Sequence, residues 1–322
     1  MEILLSNPRG FCAGVRIAIE IVDQTLDALE EDEDLYVYHE IVHNRHVVER
    51  LRERGAIFVE SIDEVPTGQP VVFSAHGVSP QVKSDAHDRK LISIDATCPL
   101  VTKVHAEAIR YAKRGWQILL IGHKNHQEII GTYGEAPDSI QIVESPEDIS
   151  KLKIIDNQKL VYLTQTTLSI DDAELIINAL KEAFPHINAP PSDDICYATT
   201  NRQLAVREQA DEVDLVLVIG SKNSSNSLRL TEIAHAVDTP SYLIDDISML
   251  KTEWLEGVQS VLITAGASAP ERLVKELVLH LVEHYDGVAP DDIDFDEGMS
   301  FSMPASFKSF ITSKLTVEGQ EH

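Results

Sequence analysis

Arg9-Gly10-Phe11-Cys12-Ala13-Gly14-Val15 decides how the chain is read, because the same kind of start occurs three times. Cys12, Cys98 and Cys196 are the only cysteines, 86 and 98 residues apart. After each one the pattern predicts helix, strand, polar loop, helix, strand, short helix, strand, polar loop, helix. Twenty-four residues past Cys98 stands Gly122-His123-Lys124-Asn125-His126-Gln127-Glu128, and twenty-four past Cys196 stands Gly220-Ser221-Lys222-Asn223-Ser224-Ser225-Asn226. The corresponding loop after Cys12 is Glu40-Ile41-Val42-His43-Asn44, with His43 at an offset of 31 against 28 for His126 and 30 for Asn226. A second loop recurs as Ser74-Ala75-His76-Gly77-Val78, Thr164-Gln165-Thr166-Thr167 and Thr264-Ala265-Gly266-Ala267-Ser268, where His76, Thr166 and Ser268 lie 64, 68 and 72 residues past their cysteines. A fixed order of elements at near-constant spacing marks internal repetition. The expectation is an α/β fold of three pseudo-symmetric lobes, each bringing one cysteine and two polar loops to a shared centre. Their bounds are 1–96, 97–190 and 191–284, followed by an acidic tail, 285–322.

Strands alternate with helices throughout, which predicts parallel sheets with ligand sites off the carboxyl ends of the strands. Both loops of each repeat fall at such ends. The runs Trp116–Ile121 and Leu215–Ile219 are almost wholly apolar, as buried parallel strands are. Val15, Ile19, Val22, Leu26 and Leu29 recur at helical spacing and predict a core-facing stripe on the first helix. Pro99 suits the first turn of a helix beginning at Cys98. The acidic run Glu30-Glu31-Asp32-Glu33-Asp34 reads as a solvated link, and the tail after Tyr285 as a segment that packs partly across another repeat and frays at its end.

Lys and Arg total 27 against 53 Asp and Glu, a net charge of −26. That argues against nonspecific nucleic-acid or anionic-membrane binding, while leaving room for an anionic substrate in a pocket of local donors. No apolar run is long enough to span a bilayer, and the first residues are too short and acidic for a secretion signal. A cytoplasmic location is expected. An odd cysteine count there makes a disulfide framework improbable.

Three cysteines at helix N-termini invite a metal or cluster, since the helix dipole favours thiolates. A structural zinc normally takes four protein ligands. Three thiolates suit a cubane iron–sulfur cluster with one iron left open, able to act as a Lewis acid and to pass electrons. The loops add His43, His76, His126, Thr166, Thr167, Ser224, Ser225, Asn226 and Ser268, neutral donors suited to phosphate oxygens. No glycine-rich nucleotide fingerprint or P-loop lysine is present. Glu128, two residues past His126, is positioned as a proton donor. Taken singly these residues have plainer readings: Ser224-Ser225-Asn226 could cap a helix, and Thr166 and Thr167 could end a strand. Their equivalent offsets favour a shared site. His39, His46, His87, His105 and His123 read as structural or surface residues, and Phe11 and Tyr197 as core packing.

With these residues in view the chain resembles the 4-hydroxy-3-methylbut-2-enyl diphosphate reductases, which end the methylerythritol phosphate route to isoprenoids. The resemblance runs from Asn7-Pro8-Arg9-Gly10-Phe11-Cys12-Ala13-Gly14-Val15 to Thr264-Ala265-Gly266-Ala267-Ser268-Ala269-Pro270. It takes in Asp95-Ala96-Thr97-Cys98-Pro99-Leu100-Val101-Thr102-Lys103-Val104-His105, Asp194-Ile195-Cys196-Tyr197-Ala198-Thr199-Thr200-Asn201-Arg202-Gln203 and Gly220-Ser221-Lys222-Asn223-Ser224-Ser225-Asn226-Ser227, together with the second loops. It implies a three-lobed fold around a [4Fe-4S] cluster held by Cys12, Cys98 and Cys196, with the substrate's hydroxymethyl oxygen on the open iron. It implies a diphosphate held by His43, His76, His126, Ser224, Ser225, Asn226 and Ser268, a threonine of the Thr166-Thr167 pair near the substrate, and protons from Glu128 through the diphosphate and Thr167. Two electrons from a ferredoxin or flavodoxin and two protons would remove the hydroxyl as water, giving isopentenyl and dimethylallyl diphosphate. The family's loop usually reads His-Pro-Glu; His126-Gln127-Glu128 keeps both functional side chains and loses the proline's stiffness.

A quinolinate-synthase-like iron–sulfur dehydratase is the rival enzyme reading, but it would need arginines in the loops for a dicarboxylate. A cluster-based redox sensor and a zinc-held scaffold are the alternatives outside catalysis.

Overall fold

The computed structural model describes residues 1–30, 33–289 and 297–318, with side chains as far as Leu315. Glu31 and Asp32 of the expected acidic link, and the last four residues of the tail, lie outside the described residues. β1 (Glu2–Leu5) and α1 (Ala13–Asp27) flank Cys12, followed by β2 (Tyr36–Tyr38), α2 (Arg45–Glu53), β3 (Ile57–Val59), β4 (Pro70–Phe73) and α3 (Pro80–Asp88). β5 (Ile92–Asp95) and α4 (Pro99–Lys113) flank Cys98, followed by β6 (Gln117–Ile121), α5 (Gln127–Glu135), β7 (Ile140–Val143), β8 (Leu160–Thr164) and α6 (Ile170–Ala183). After Cys196 come α7 (Tyr197–Arg207), β9 (Leu215–Ile219), α8 (Ser225–Ala236), β10 (Ser241–Ile244), β11 (Ser260–Ala265), α9 (Glu271–Tyr285) and α10 (Ala305–Glu318).

The strands form three sheets, and every described pairing between strands is parallel. One runs β3-β2-β4-β5, one β7-β6-β8, and one β10-β9-β11-β1. In the middle sheet a parallel bridge from Val161 to Asn188 takes the fourth place, beside β8. The same position in each sheet is therefore filled by the segment that leads into a cysteine: β5 into Cys98, Asn188 into Cys196, and β1 into Cys12. β1 belongs with the strands of the third repeat, so the repetition closes on itself.

Contacts divide the chain into two compact units. Met1–Val15, His43–Glu49 and Tyr197–Ser300 make one; Arg16–Val42, Arg50–Cys196 and the chain from Phe301 onward make the other. The first unit is built on the β10-β9-β11-β1 sheet. All five residues of β9 are buried, each apolar side chain contributing ~1.5–3 kcal/mol, enough to offset ~1–2 kcal/mol of backbone entropy per residue. Ile3, Leu217, Ile263, Leu273, Leu277 and Leu281 pack on one face of it, and Val206, Val216, Val218, Leu230 and Leu262 on the other.

The second unit holds the other two sheets. On α1 the fully buried residues are Ala18, Ile21, Val22 and Thr25, and Ile19 is buried too, whereas Val15 and Leu26 are only partly covered and Leu29 lies past the helix end. The buried face keeps Ile19 and Val22 of the expected stripe and adds the small Ala18 and Thr25; Thr25 satisfies its hydroxyl on the Ile21 carbonyl at 2.6 Å. α10 packs on β5, burying Phe307 and Phe310, and Ser306 Oγ accepts from the Asp95 N–H at 3.0 Å. No described helix is long and apolar enough to cross a membrane.

Candidate functional site

Each cysteine opens a helix and is fixed by the same backbone contact. The N–H of Cys12 donates to the Ala267 carbonyl at 3.1 Å, that of Cys98 to Ala75 at 3.0 Å, and that of Cys196 to Thr166 at 3.0 Å. The acceptors stand in the three recurring second loops, where the third strand of each repeat ends. Parallel pairing sets that register, because each cysteine-leading segment lies beside the strand whose end carries the acceptor. None of the three forms a disulfide, and all are partly exposed. Pro99 occupies the first turn of α4, as expected.

In the first unit, burial pushes the Cys12 thiol up, opposed by the N–H groups of Val15 and Gly14 and by the Arg202 guanidinium, while Glu297 adds to the rise. The Val15 N–H reaches Sγ at 3.5 Å. Helix-end donors alone therefore do not make Cys12 a thiolate; a cation bound there would. His43, Ser224, Asn226 and Ser268 are gathered in the same unit. Ser268 Oγ donates to the His43 carbonyl at 2.9 Å and lies 3.3 Å from Ser224 Oγ. Asn223 Nδ2 lies 3.5 Å from His43 Nδ1.

Ser224 also caps α8, accepting from the Ser227 N–H, so the plain reading of this residue holds. Ser225 follows it at the first position of α8, half-buried. A Cβ on Gly220 or Gly266 would collide with Ser227 Oγ, so two strand ends close over this first turn only because both residues are glycine. Asn226 is buried, and neither polar atom of its side chain has a partner among the described residues. A buried amide left unsatisfied is costly, so the Asn226 side chain has hydrogen-bonding capacity to spare.

In the second unit the His76 and His126 rings meet edge to face, with centroids 6.1 Å apart. His126 caps α5, its Nδ1 accepting from the Glu128 N–H at 3.2 Å. That contact places the ring proton of neutral His126 on Nε2. Glu128 is buried, and its Oε2 accepts from both the N–H and Oγ1 of Thr166, each at 2.9 Å. Gln165 donates to Thr167 Oγ1 at 2.8 Å and accepts from the His123 N–H at 3.1 Å, tying the two loops together.

Sequence reasoning missed Gln165, which joins loops that the pattern treats separately. Tyr197, expected as core packing, accepts the Ala13 N–H through its hydroxyl at 3.1 Å; burial, chiefly, pushes that phenol up to about 12. Among the described residues no three His, Cys, Asp or Glu side chains gather as ligands of one metal ion. Iron–sulfur clusters are held by cysteine thiolates, the donor chemistry that Cys12, Cys98 and Cys196 can offer.

The profile of the family described as LytB protein matches residues 3–282. The curated 4-hydroxy-3-methylbut-2-enyl diphosphate reductase of Idiomarina loihiensis is 52% identical over 311 residues, covering 96% of this chain and 98% of the relative. That of Rhodopirellula baltica is 50% identical over 310 residues, covering 96% and 97%. Among solved structures, the E-1-hydroxy-2-methyl-but-2-enyl-4-diphosphate reductase of Plasmodium falciparum aligns with a TM-score of 0.90 at 41% identity, over 97% of this chain and 98% of that one. A second, an (E)-4-hydroxy-3-methyl-but-2-enyl diphosphate reductase described as the terminal enzyme of the non-mevalonate pathway, aligns with a TM-score of 0.62 at 31% identity, over 88% and 99%. With the motifs, the three parallel sheets and this likeness in agreement along nearly the whole chain, the protein belongs to the LytB family.

Proposed function

We propose that the chain reductively dehydroxylates 4-hydroxy-3-methylbut-2-enyl diphosphate to isopentenyl and dimethylallyl diphosphate, consuming two electrons and two protons and releasing water. The observation that carries this reading is the threefold anchoring of Cys12, Cys98 and Cys196 on strand-end loops, in a chain whose full-length relatives bear that reductase's name. The repeats 1–96, 97–190 and 191–284 would each contribute one cysteine to a [4Fe-4S] cluster with one iron lacking a protein ligand. When bound, that cluster supplies a Lewis acid and the path for the electrons.

The remaining work falls to this chain's side chains. His43, His76, His126, Ser224, Ser225, Asn226 and Ser268 bind the diphosphate, His126 through Nε2–H. Glu128 supplies the protons, with Thr167 and the substrate's own diphosphate as relay. Thr166 fixes one oxygen of the Glu128 carboxyl by two hydrogen bonds. Burial of Glu128 and Thr166 keeps bulk water from the proton path. A cytoplasmic ferredoxin or flavodoxin supplies the electrons. The test is an anaerobic assay of iron-replete protein with reduced viologen and the allylic diphosphate. Formation of the two five-carbon diphosphates is expected, and iron-replete protein that leaves the substrate unchanged overturns the reading.

A further inference from the structure

Arg202, in α7, is a fully buried charge in the first unit, with 0% of its side chain exposed. All five of its N–H groups have acceptors. Nε and Nη2 both reach the Gly10 carbonyl, at 3.1 and 2.7 Å; Nη1 reaches the Ala198 carbonyl at 2.9 Å; and Nη1 and Nη2 reach the two carboxylate oxygens of Glu297, at 3.2 and 2.9 Å. Asn201 Nδ2 gives Glu297 a third donor at 3.1 Å. Gly10 stands two residues before Cys12 and has φ of +66°, and a Cβ there would lie 3.3 Å from the Ala269 carbonyl. The carbonyl that Arg202 grips is thus part of the tight turn that delivers Cys12 to its helix.

Stability alone does not call for charge at such a place. A buried ion pair is often no better than apolar residues of the same size, because desolvation cancels its attraction. The guanidinium grips the Gly10 carbonyl, two residues before Cys12, and holds Glu297 on its other side; beside a redox group a positive charge favours an added electron and a negative charge opposes it. The two charges also arrive from separate segments, α7 and the chain after residue 296, so the balance between them depends on tertiary structure.

We propose that Arg202 and Glu297 are a charge-tuning pair for the group Cys12 helps to hold, Arg202 making that group easier to reduce and Glu297 harder. The inference rests on the cluster reading above. Both are positioning residues, acting through the Cys12 turn. The test compares R202Q, E297Q, R202Q/E297Q and R202K in anaerobically reconstituted full-length protein, by iron and sulfide content and by redox titration followed by electron paramagnetic resonance.

E297Q leaves Arg202 unopposed and is expected to raise the midpoint potential; R202Q is expected to lower it, and the double variant to return toward wild type. R202K keeps the charge and loses the forked grip on Gly10, so it should hold a near-normal potential while losing iron faster to a chelator. Should R202Q fail to fold, the upward shift in E297Q against the unmoved R202K decides the matter. Single variants that both lose iron without opposite shifts in potential overturn the tuning role and leave a mere clamp. Wild-type protein that binds no cluster refutes the functional reading, and this inference with it.

Discussion

Replacing Thr166 with valine keeps the size and branching of the side chain and removes one hydroxyl. In the native protein Glu128 Oε2 accepts from the Thr166 N–H and from its Oγ1, each at 2.9 Å, with both residues buried. Valine retains the first contact and deletes the second. A hydrogen bond to a charged group is worth ~1.5–3 kcal/mol. Since ~1.4 kcal/mol is tenfold in rate, loss of that restraint in the transition state should lower kcat by about tenfold to about 150-fold. KM should stay near its native value, because the proposed diphosphate donors are other residues. Steady-state kinetics in the anaerobic viologen assay measure both, and T166S, which restores the hydroxyl, should recover most of the rate. A T166V enzyme within about twofold of wild-type kcat, or one whose defect lies in KM, would refute the claim that Thr166 holds the proton donor.

Glu128→Gln should keep the cluster and bind substrate while losing about 100-fold to 10,000-fold in kcat, the range for removing a general acid; equilibrium binding beside single-turnover kinetics separates the two effects. Cys98→Ser should fail to hold a stable cubane, read as iron and sulfide per chain after anaerobic reconstitution, and an unchanged content would remove Cys98 from the ligand set. Asn226→Ala breaks no described hydrogen bond in the substrate-free protein, so Tm should move little. KM should rise by about tenfold, for one lost hydrogen bond of ~1.4 kcal/mol, and the increase in Tm on adding substrate should shrink; a large loss of Tm without substrate would mean that the amide is structural. Gly266→Ala drives a methyl group into Ser227 at the start of α8, an overpacking worth ~1–3 kcal/mol, seen as a Tm lowered by several degrees in thermal unfolding at ~2–4 °C per kcal/mol.

Much of this protein is determined locally. Five consecutive apolar residues such as Leu215–Ile219 can hardly be anything but a buried strand, and Pro99 after Cys98 marks a helix start, because these preferences act within a few residues. The cysteines, the loops and their matched offsets were legible for the same reason: a repeat copies local patterns together with their spacing. The tail was less legible, since the burial of Phe307 and Phe310 in α10 depends on the surface that receives them.

Only the tertiary structure decided that β1 pairs with β11, so that the loop ending the last repeat fixes the first cysteine. A parallel strand carries no mark of its partner, because any exposed sheet edge of the right register offers it the same hydrogen bonds. The same holds for Thr166 holding Glu128, and for Arg202 meeting Glu297 across 95 residues. Sequence by itself determined which groups exist and how far apart they lie along the chain. Folding determined which of them share a hydrogen bond or a buried charge, because those energies depend on distances of a few ångströms that no local pattern encodes.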